Sequence, residues 1–538
     1  LRGARRRCQG GVTFPFVPPT PHLLTDLRTR AAYAEGAGVY RIVPQAVVLP
    51  RDAAELARVL RWAADTGTPL VPRGSGSGMP GGNLGRGVIV DCSPGFGGVQ
   101  IDAARRVARA GAAATWAQVT DAARPYGLRL PPDPSSGAFA TSGGMVMTNA
   151  AGPRSVRYGS VRRWVEAIEI VGVDGEVRRI QRGARSTEQF VLSADQRQLI
   201  DTKFPKTRKN SSGYALDEYA RSGDELDLLI GSEGTLACVT AVDWRLDPIP
   251  PDQAGVALGF RDLAALGEAV PYLLALNPSA VELLDRTLLS FVEDAGGVLT
   301  PGLACLLLVE FERETSAAAR GAVGDAVRGL RHLTAHVETA VDRAGLERLW
   351  AVRRLASPAL ARLPETQRSL QVVEDGCVPI ERLAEYVAAL RAAAARHDIA
   401  VAIFGHAGDG HVHVNALPDT TRSGWTEGLR ALYDDVTTLL VRLGGTPSGE
   451  HGDGRLRAGV LQRFFGPELV ALFGALKRRY DPQSILNPGV ILPAADWQPL
   501  ADLKVGAAAA AIPDDIALRL RDVERSGGWA VPKPELAR

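Results

Sequence analysis

Histidine is scarce in this chain, yet three of its eight histidines lie within eight residues. They are His406, His411 and His413, in a segment rich in glycine, and His451 follows Glu450 further along the chain. Imidazole nitrogens with a carboxylate oxygen suit a divalent metal, and an additional neutral histidine can act as a base. These residue types therefore predict a metal site with a catalytic base beside it.

The histidines need a β-hairpin to bring them together. Residues 399–404 form an apolar run typical of a buried strand, and the glycines after it predict a tight turn. Residues 411–415 then alternate polar and apolar side chains, which is the period of a half-buried strand. The returning strand would place His413 close to His406. The alternative is that the histidines only make hydrogen bonds within a glycine-rich loop.

A second glycine-rich stretch, residues 73–78, alternates Gly and Ser. Such a loop can point several backbone N–H groups at one anion, as binding of a diphosphate requires. A dinucleotide-binding Rossmann loop would open into a helix, whereas Pro80 and two glycines follow here, and residues 88–91 read as a strand. The stretch therefore predicts a diphosphate site of another kind. A surface linker is the alternative, disfavoured because short apolar strands flank the stretch.

Composition excludes several classes of protein. The formal net charge is +2, from 62 basic and 60 acidic residues, whereas a nucleic-acid surface would show a clustered basic excess. The five cysteines are widely scattered without a CxxC motif, so no zinc ribbon or iron–sulfur cluster can be built locally. Their odd number is typical of reduced, buried thiols in a cytosolic protein.

The sequence predicts no transmembrane span, because no uninterrupted apolar stretch of about 18 residues occurs. The basic N-terminal residues are not followed by a long apolar run, so they are not typical of a secretory signal. We therefore expect a cytoplasmic protein, free or peripheral at the inner face of a membrane.

Six motifs resemble one known family, and they occur in that family's order. They are residues 72–78, residues 141–152 with Arg157-Tyr158-Gly159, residues 231–236, the histidine hairpin, Glu450-His451-Gly452 and Leu486-Asn487-Pro488-Gly489. The family is the FAD-linked oxidases and dehydrogenases of the vanillyl-alcohol oxidase/p-cresol methylhydroxylase superfamily. Within it, the chain resembles D-lactate dehydrogenases, glycolate oxidase flavin subunits and D-2-hydroxyglutarate dehydrogenases. The resemblance covers about residues 40–493.

The resemblance implies an α+β fold. A two-part FAD-binding domain of the p-cresol methylhydroxylase type would be joined to a cap domain, an antiparallel sheet with helices on one side. The alternation of strands and helices in the second half also favours such a sheet. The expected segments are a lead-in at 1–40, the FAD-binding domain at 41–248, the cap with the metal site at 249–465, a segment returning to the flavin at 466–493, and a loosely ordered tail at 494–538.

The resemblance also implies bound FAD. The matching residues are Arg73, Gly74, Ser75, Gly76, Ser77 and Gly78 at the diphosphate, and Ser142, Gly143, Gly144, Asn149, Gly152, Glu233, Gly234 and Asn487 along the cofactor. Some relatives attach the flavin to a histidine of the diphosphate loop. No histidine lies in this loop, so FAD is expected to be non-covalent.

The metal and catalytic residues follow from the same resemblance. His406, His413 and Glu450 match the family's ligands for zinc or manganese, and His451 matches its catalytic base. Arg353 matches the arginine that binds a substrate carboxylate. Two alternatives stay open: Arg353 could form an ion pair on a helix surface, and Glu450 could be a structural partner that orients His451.

Two departures from the family matter. His411 stands where the family usually has Asn, so a fourth nitrogen lies near the metal and could coordinate it. Asp453 and Arg455 resemble the variant in which an iron–sulfur domain is fused downstream, and the chain has no cysteine cluster there. Electrons are therefore expected to leave to a separate iron–sulfur, cytochrome or quinone partner.

The predicted function is an FAD-dependent dehydrogenase of a D-2-hydroxy acid. D-lactate is the first candidate, followed by glycolate and D-2-hydroxyglutarate. One alternative is a metal-free alcohol, aldonolactone or ether-lipid flavoenzyme on the same scaffold. An alternative of another class is a flavin-holding subunit that passes electrons without binding substrate. The metal ligands disfavour both, because neither needs a metal.

Overall fold

The computed structural model describes residues 23–183, 190–294 and 300–538. The strands of the first half are β1 Leu23–Leu24, β2 Ala46–Val48, β3 Leu70–Arg73, β4 Val88–Asp91, β5 Val99–Asp102, β6 Val107–Gly111, β7 Leu128–Arg129, β8 Val165–Val171, β9 Val177–Gln181, β10 Cys238–Arg245 and β11 Asp247–Pro248. Its helices are α1 Leu27–Ala32, α2 Ala53–Thr66, α3 Trp116–Ala123, α4 Ser142–Thr148, α5 Ser155–Tyr158, α6 Ala194–Lys203, α7 Leu216–Ser222 and α8 Glu225–Leu229.

The first half has two main sheets, which is the two-part arrangement expected. The smaller sheet has the order β1-β2-β4-β3, with β2, β4 and β3 parallel. Helix α2 makes the crossover between β2 and β3. The Asp52 side chain accepts a hydrogen bond from the N–H of Glu55 at its start, and Gly67 ends it with φ 66°. The larger sheet is antiparallel, in the order β5-β6-β10-β8-β9.

The second half is built on one antiparallel sheet of six strands. They are β12 Asp252–Phe260, β13 Ala280–Asp285, β14 Cys305–Arg313, β15 His336–Ala340, β16 Ala400–Gly405 and β17 His413–Leu417, in the order β15-β12-β14-β13-β16-β17. The helices are α9 Leu266–Ala275, α10 Arg286–Asp294, α11 Ser316–Leu330, α12 Arg343–Arg354, α13 Ala356–Ala361, α14 Leu383–Arg396, α15 Trp425–Arg442, α16 Gly454–Arg457 and α17 Leu461–Tyr480. The predicted α+β fold is confirmed.

Helices cover both faces of this sheet, and the hydrophobic core on one face is larger than that on the other. Residues of α9, α11, α14 and α15 share one large core with one face. Residues of α10, α12 and α13 form a smaller cluster against the other face, around Leu306, Leu308 and Phe404. Helix α12 lies on this second face, and Arg353 near its end therefore contacts Phe404 of β16 in the histidine hairpin. This contact needs helices on both faces of the sheet, whereas helices on one side were expected.

The C-terminal part of the chain packs back onto the first half. Helix α17 is interrupted at Gly466, which has φ 78° and precedes Pro467, and its buried side chains join the core of the first half. The tail differs from the loosely ordered segment that was expected. It contains α18 Asp514–Ser526 and α19 Lys533–Leu536. Ile516, Leu520 and Val523 recur at helical spacing and pack in one core with residues of α1, β3 and β4.

Candidate active site

A cavity of about 640 Å³ lies between the two halves of the chain. One wall is the loop at residues 73–78, whose backbone N–H groups at 74–78 donate no hydrogen bond to any residue that the structure describes. Gly76 has φ 86°, and a Cβ there would lie 2.4 Å from Nη2 of Arg73. Successive N–H groups without protein partners form an anion site, so this loop fits the diphosphate of FAD.

Most of the sequence-predicted cofactor residues line this cavity. These are Arg73, Gly74, Ser75, Gly76, Ser77, Gly78, Gly143, Gly144, Glu233 and Gly234. Arg73 contributes through its backbone, because its guanidinium turns away and donates to the carbonyl oxygens of Tyr33 at 3.1 Å and Glu35 at 2.7 Å. The side chain of Arg73 therefore holds the chain before the loop rather than facing the anion site.

The other predicted cofactor residues lie behind the cavity wall. Ser142 accepts a hydrogen bond from Nε1 of Trp244 at 3.2 Å, and Gly152 is buried. Asn149 and Asn487 are buried, and the Oδ1 atom of each has no hydrogen-bond partner among the described residues. A buried amide oxygen without a donor costs about 1–3 kcal/mol. These two oxygens are therefore unpaired acceptors beside the cavity, since Asn149 lies between the lining residues Thr148 and Ala150, and Asn487 donates to the carbonyl oxygens of Gly82 and Glu233.

The histidine hairpin forms as predicted. Strands β16 and β17 pair antiparallel, with Phe404 opposite His413. The turn needs glycine at Gly410, where φ is 71° and a Cβ would lie 2.1 Å from the carbonyl oxygen of Val378. The hairpin thus places His406 at the end of one strand and His413 at the start of the next.

Three predicted metal ligands converge on one point. Nε2 of His406 lies 3.1 Å from Oε1 of Glu450, Nε2 of His413 lies 3.3 Å from that oxygen, and the two Nε2 atoms are 3.4 Å apart. Ligand atoms about 2.1 Å from a tetrahedral metal lie roughly 3.4 Å from one another. This triangle therefore has the dimensions of one face of a coordination polyhedron.

The protons of these histidines also point away from the triangle. Nδ1 of His406 lies 2.5 Å from Oε1 of Glu282, a carboxylate that can only accept. Nδ1 of His413 lies 3.3 Å from the carbonyl oxygen of Glu374. In the neutral form of each ring, Nε2 carries the lone pair, so two lone pairs and a carboxylate oxygen face each other. A divalent cation fits this set of acceptors.

His451 stacks on His413, with ring centroids 5.0 Å apart. Its Nδ1 lies 2.5 Å from Oε2 of Glu374, which leaves Nε2 as the basic atom of the neutral ring. Burial opposes a charge on His451, but Asp375 and Glu374 outweigh it and raise its pKa to about 10. The carboxylates therefore favour the protonated ring, so His451 has to lose a proton before its Nε2 can act as a base.

Arg353 lies in the same cavity wall. Its Nε donates to Oε2 of Glu282 at 2.9 Å, and its guanidinium carbon lies 4.4 Å from the centre of the Phe404 ring. Its terminal amino groups donate to no other residue in the part of the chain that the structure describes. Glu282 and Phe404 thus hold the guanidinium in place while leaving the two groups that can bind a carboxylate.

Sequence reasoning missed four buried residues around this centre. They are Lys209, Glu282, Glu374 and Asp375. Oδ2 of Asp375 accepts from the backbone N–H of His451 at 2.8 Å and that of Glu450 at 3.2 Å, so Asp375 holds the Glu-His pair. An acidic pair inside the apolar run at 370–378 was the available signal. For Glu282 the sequence offered no signal other than a charged residue within an apolar strand.

Two families match the chain in succession. Residues 44–181 match a family described as FAD binding domain, and residues 249–491 match one described as FAD linked oxidases, C-terminal domain. Among curated relatives, a D-lactate dehydrogenase of Archaeoglobus fulgidus is 32% identical over 454 residues, which is 83% of this chain and 91% of that protein. A glycolate oxidase subunit GlcD of Bacillus subtilis is 30% identical over 463 residues, 84% of this chain and 89% of that protein.

A solved structure shares the fold. A crystal structure of p-cresol methylhydroxylase has a TM-score of 0.61 with 14% sequence identity, over 88% of this chain and 94% of that chain. Among the described residues, no helix combines the length and the apolar character needed to cross a membrane. With both domain families matched in order and a relative covered over most of its length, the chain belongs to the FAD-linked oxidases and dehydrogenases and is an FAD-dependent oxidoreductase.

Proposed function

We propose that this chain oxidises a D-2-hydroxy acid to the corresponding 2-oxo acid, with D-lactate as the first candidate and glycolate or D-2-hydroxyglutarate next. The observation that carries the proposal is the triangle of His406, His413 and Glu450. Two of its members, His413 and Glu450, line the same cavity as His451 and Arg353. A 2-hydroxy acid offers a hydroxyl and a carboxylate side by side. The site offers Arg353 for the carboxylate, and the metal ligands with His451 for the hydroxyl.

Arg353 would bind the substrate carboxylate. Its terminal amino groups can form two parallel charge-assisted hydrogen bonds, and Glu282 fixes the plane of the guanidinium. This contact orients the substrate but does not change during the reaction, so it contributes mainly to binding.

His406, His413 and Oε1 of Glu450 would hold a divalent metal, zinc or manganese. The metal would supply a Lewis acid that lowers the pKa of the substrate hydroxyl. Nε2 of His451 would then take the hydroxyl proton, with Glu374 holding the other ring nitrogen. Stacking on His413 keeps the base beside the metal ligands.

Bound FAD would supply the hydride acceptor. The loop at residues 73–78 and the small residues Gly143 and Gly144, which line the same cavity, would hold it non-covalently. A separate iron–sulfur, cytochrome or quinone partner would serve as the electron acceptor.

The metal-free alcohol, aldonolactone or ether-lipid flavoenzyme remains the alternative on this scaffold, and a flavin-holding electron-transfer subunit is the alternative of another class. Neither gives a role to two imidazole Nε2 atoms and a carboxylate oxygen that lie within 3.4 Å of one another.

Anaerobic flavin bleaching across matched D- and L-2-hydroxy acids tests the proposal. The purified holoenzyme should lose its flavin absorbance with one or more D-acids and keep it with their L-enantiomers. Bleaching by simple alcohols or aldonolactones instead would favour the first alternative. A flavin that no substrate on the panel reduces, but that accepts electrons from a reduced partner, would favour the second.

A further inference from the structure

Lys209 is a buried cation behind the predicted metal ligands. Its Nζ lies 2.9 Å from Oε2 of Glu450, 3.4 Å from Nδ1 of His411 and 3.7 Å from Oδ2 of Asp409. Lys209 is only 6% exposed, so these three groups share its charge without competition from solvent. The ammonium group thus contacts Glu450 and His411, the two residues for which the sequence left open whether they bind the metal.

The contacts of His411 decide which of its nitrogens could bind a metal. Nε2 lies 2.8 Å from Oδ1 of Asp375. The carboxylate of Asp375 can only accept, and its other oxygen already accepts from the backbone N–H of His451 at 2.8 Å. Nε2 of His411 therefore carries a proton, and Nδ1 is the only atom left for a metal. That atom faces the Lys209 ammonium.

The two carboxylate oxygens of Glu450 have different neighbours. Oε2 accepts from Lys209, while Oε1 lies at the point shared by His406 and His413. Four ligand atoms from His406, His411, His413 and Glu450 all lie within 4.8 Å of one another, so His411 is near enough to join if its nitrogen were free. The hydrogen bonds of His411 with Asp375 and Lys209 engage both of its ring nitrogens.

We propose that Lys209 is a positioning residue that limits the metal to three protein ligand atoms, by occupying Oε2 of Glu450 and Nδ1 of His411. This inference rests on the metal site of the proposed function. Its consequence is that coordination positions stay open for the hydroxyl and carboxylate of a 2-hydroxy acid. A third imidazole, from His411, or a second carboxylate oxygen, from Glu450, would fill them.

Replacement of the metal by Co²⁺ in the FAD-loaded protein tests this without reference to turnover, because the d–d absorption of Co²⁺ weakens as its coordination number rises. Lys209→Met should weaken these bands and tighten Co²⁺ binding by about tenfold, since a repelling charge is lost and His411 becomes a ligand. A merely structural role predicts looser binding instead. Lys209→Arg keeps the cation and should keep the wild-type spectrum.

Two further variants sharpen the result. The double variant Lys209→Met with His411→Asn should regain the strong bands, because the added nitrogen is gone. Lys477→Met is the matched control: Lys477 is equally buried and pairs with Asp481 at 2.6 Å, away from the histidines, so its Co²⁺ spectrum should match the wild type.

The single variant His411→Asn keeps the inference open to refutation even if Lys209→Met does not fold. It should leave the Co²⁺ spectrum and affinity of the wild type unchanged. An altered spectrum in His411→Asn, or an unchanged one in folded Lys209→Met, would overturn the role of Lys209 while the metal site stands. A wild-type holoenzyme that binds no Co²⁺ would overturn the metal site of the proposed function and this inference with it.

Discussion

Glu282 joins His406 to Arg353 through one carboxylate: Nδ1 of His406 lies 2.5 Å from Oε1, and Nε of Arg353 lies 2.9 Å from Oε2. The predicted metal ligand and the predicted substrate ligand are therefore oriented by the same side chain. Strand β13 supplies Glu282 and pairs with β16, which ends next to His406.

Glu282→Gln should weaken metal binding by about 10- to 100-fold, because the amide is a poorer acceptor for His406 and no longer fixes its ring. Competition with a chelator measures the change in affinity. Glu312→Gln is the matched control, since Glu312 is a buried carboxylate on the neighbouring strand that pairs with Arg129 at 2.9 Å. Equal metal loss in both variants would mean that the effect is general destabilisation.

His451→Ala should slow anaerobic flavin reduction by about 100-fold or more, while FAD and metal stay bound, because the proton acceptor is gone. Stopped-flow absorbance at saturating substrate measures the rate. If this variant reduced its flavin at the wild-type rate, the proton would have to leave by another route and His451 would lose its assigned role.

Arg353→Met should act differently, raising the substrate dissociation constant by at least about tenfold with a smaller change in the limiting reduction rate. The carboxylate that Arg353 binds keeps its charge throughout the reaction, so the lost contact is a binding contact. The dependence of reduction rate on substrate concentration separates the two effects. A rate loss without weaker binding would move Arg353 from substrate binding to the chemical step.

Gly76→Ala should lower FAD affinity by about tenfold or more, because φ at this position is 86° and the added Cβ would lie 2.4 Å from Arg73. The ratio of flavin to protein absorbance measures the loss, and acid should release the flavin from the wild type. Gly97→Ala is the control, since a Cβ there meets no atom within 4 Å and its φ is not positive. A full flavin complement in Gly76→Ala would argue against the loop as the diphosphate site.

The buried side chain of Lys533 should make the free energy of unfolding depend on pH. Burial, assisted by Arg73, lowers its pKa to about 7. The unfolded chain, with the usual Lys pKa of about 10.4, binds more protons between these values, so the destabilisation by Lys533 is full below about pH 7 and disappears as pH rises towards 10. Lys533→Met should raise the free energy of unfolding by on the order of 1 kcal/mol at neutral pH.

The stabilisation in Lys533→Met should shrink as pH rises, which thermal unfolding of the holoenzyme at about pH 7 and about pH 10 would measure. Lys206→Met, at an exposed lysine, should show no such trend. Equal stabilisation at both pH values would show that Lys533 affects packing rather than charge.

The sequence by itself determined the elements whose signals are local. Alternation at 411–415 predicted β17, the glycines before it predicted the turn, and Pro80 excluded a Rossmann helix after the diphosphate loop. The helix α18 was also encoded locally, by Ile516, Leu520 and Val523 at helical spacing, although an Ala- and Pro-rich composition obscured it.

Only the tertiary structure decided what surrounds the histidines. Glu282, Lys209 and the adjacent pair Glu374 and Asp375 come from separate segments. Each of these buried charged residues finds its partner on another segment of the chain. The spacing predicted that His406 and His413 lie together, and the family resemblance placed Glu450 and His451 with them. Neither could say which nitrogen of each ring carries a proton. That depends on hydrogen-bond partners up to 202 residues away in the chain, as for His411 and Lys209, because a buried charge is stable only where the fold provides groups that pair with it.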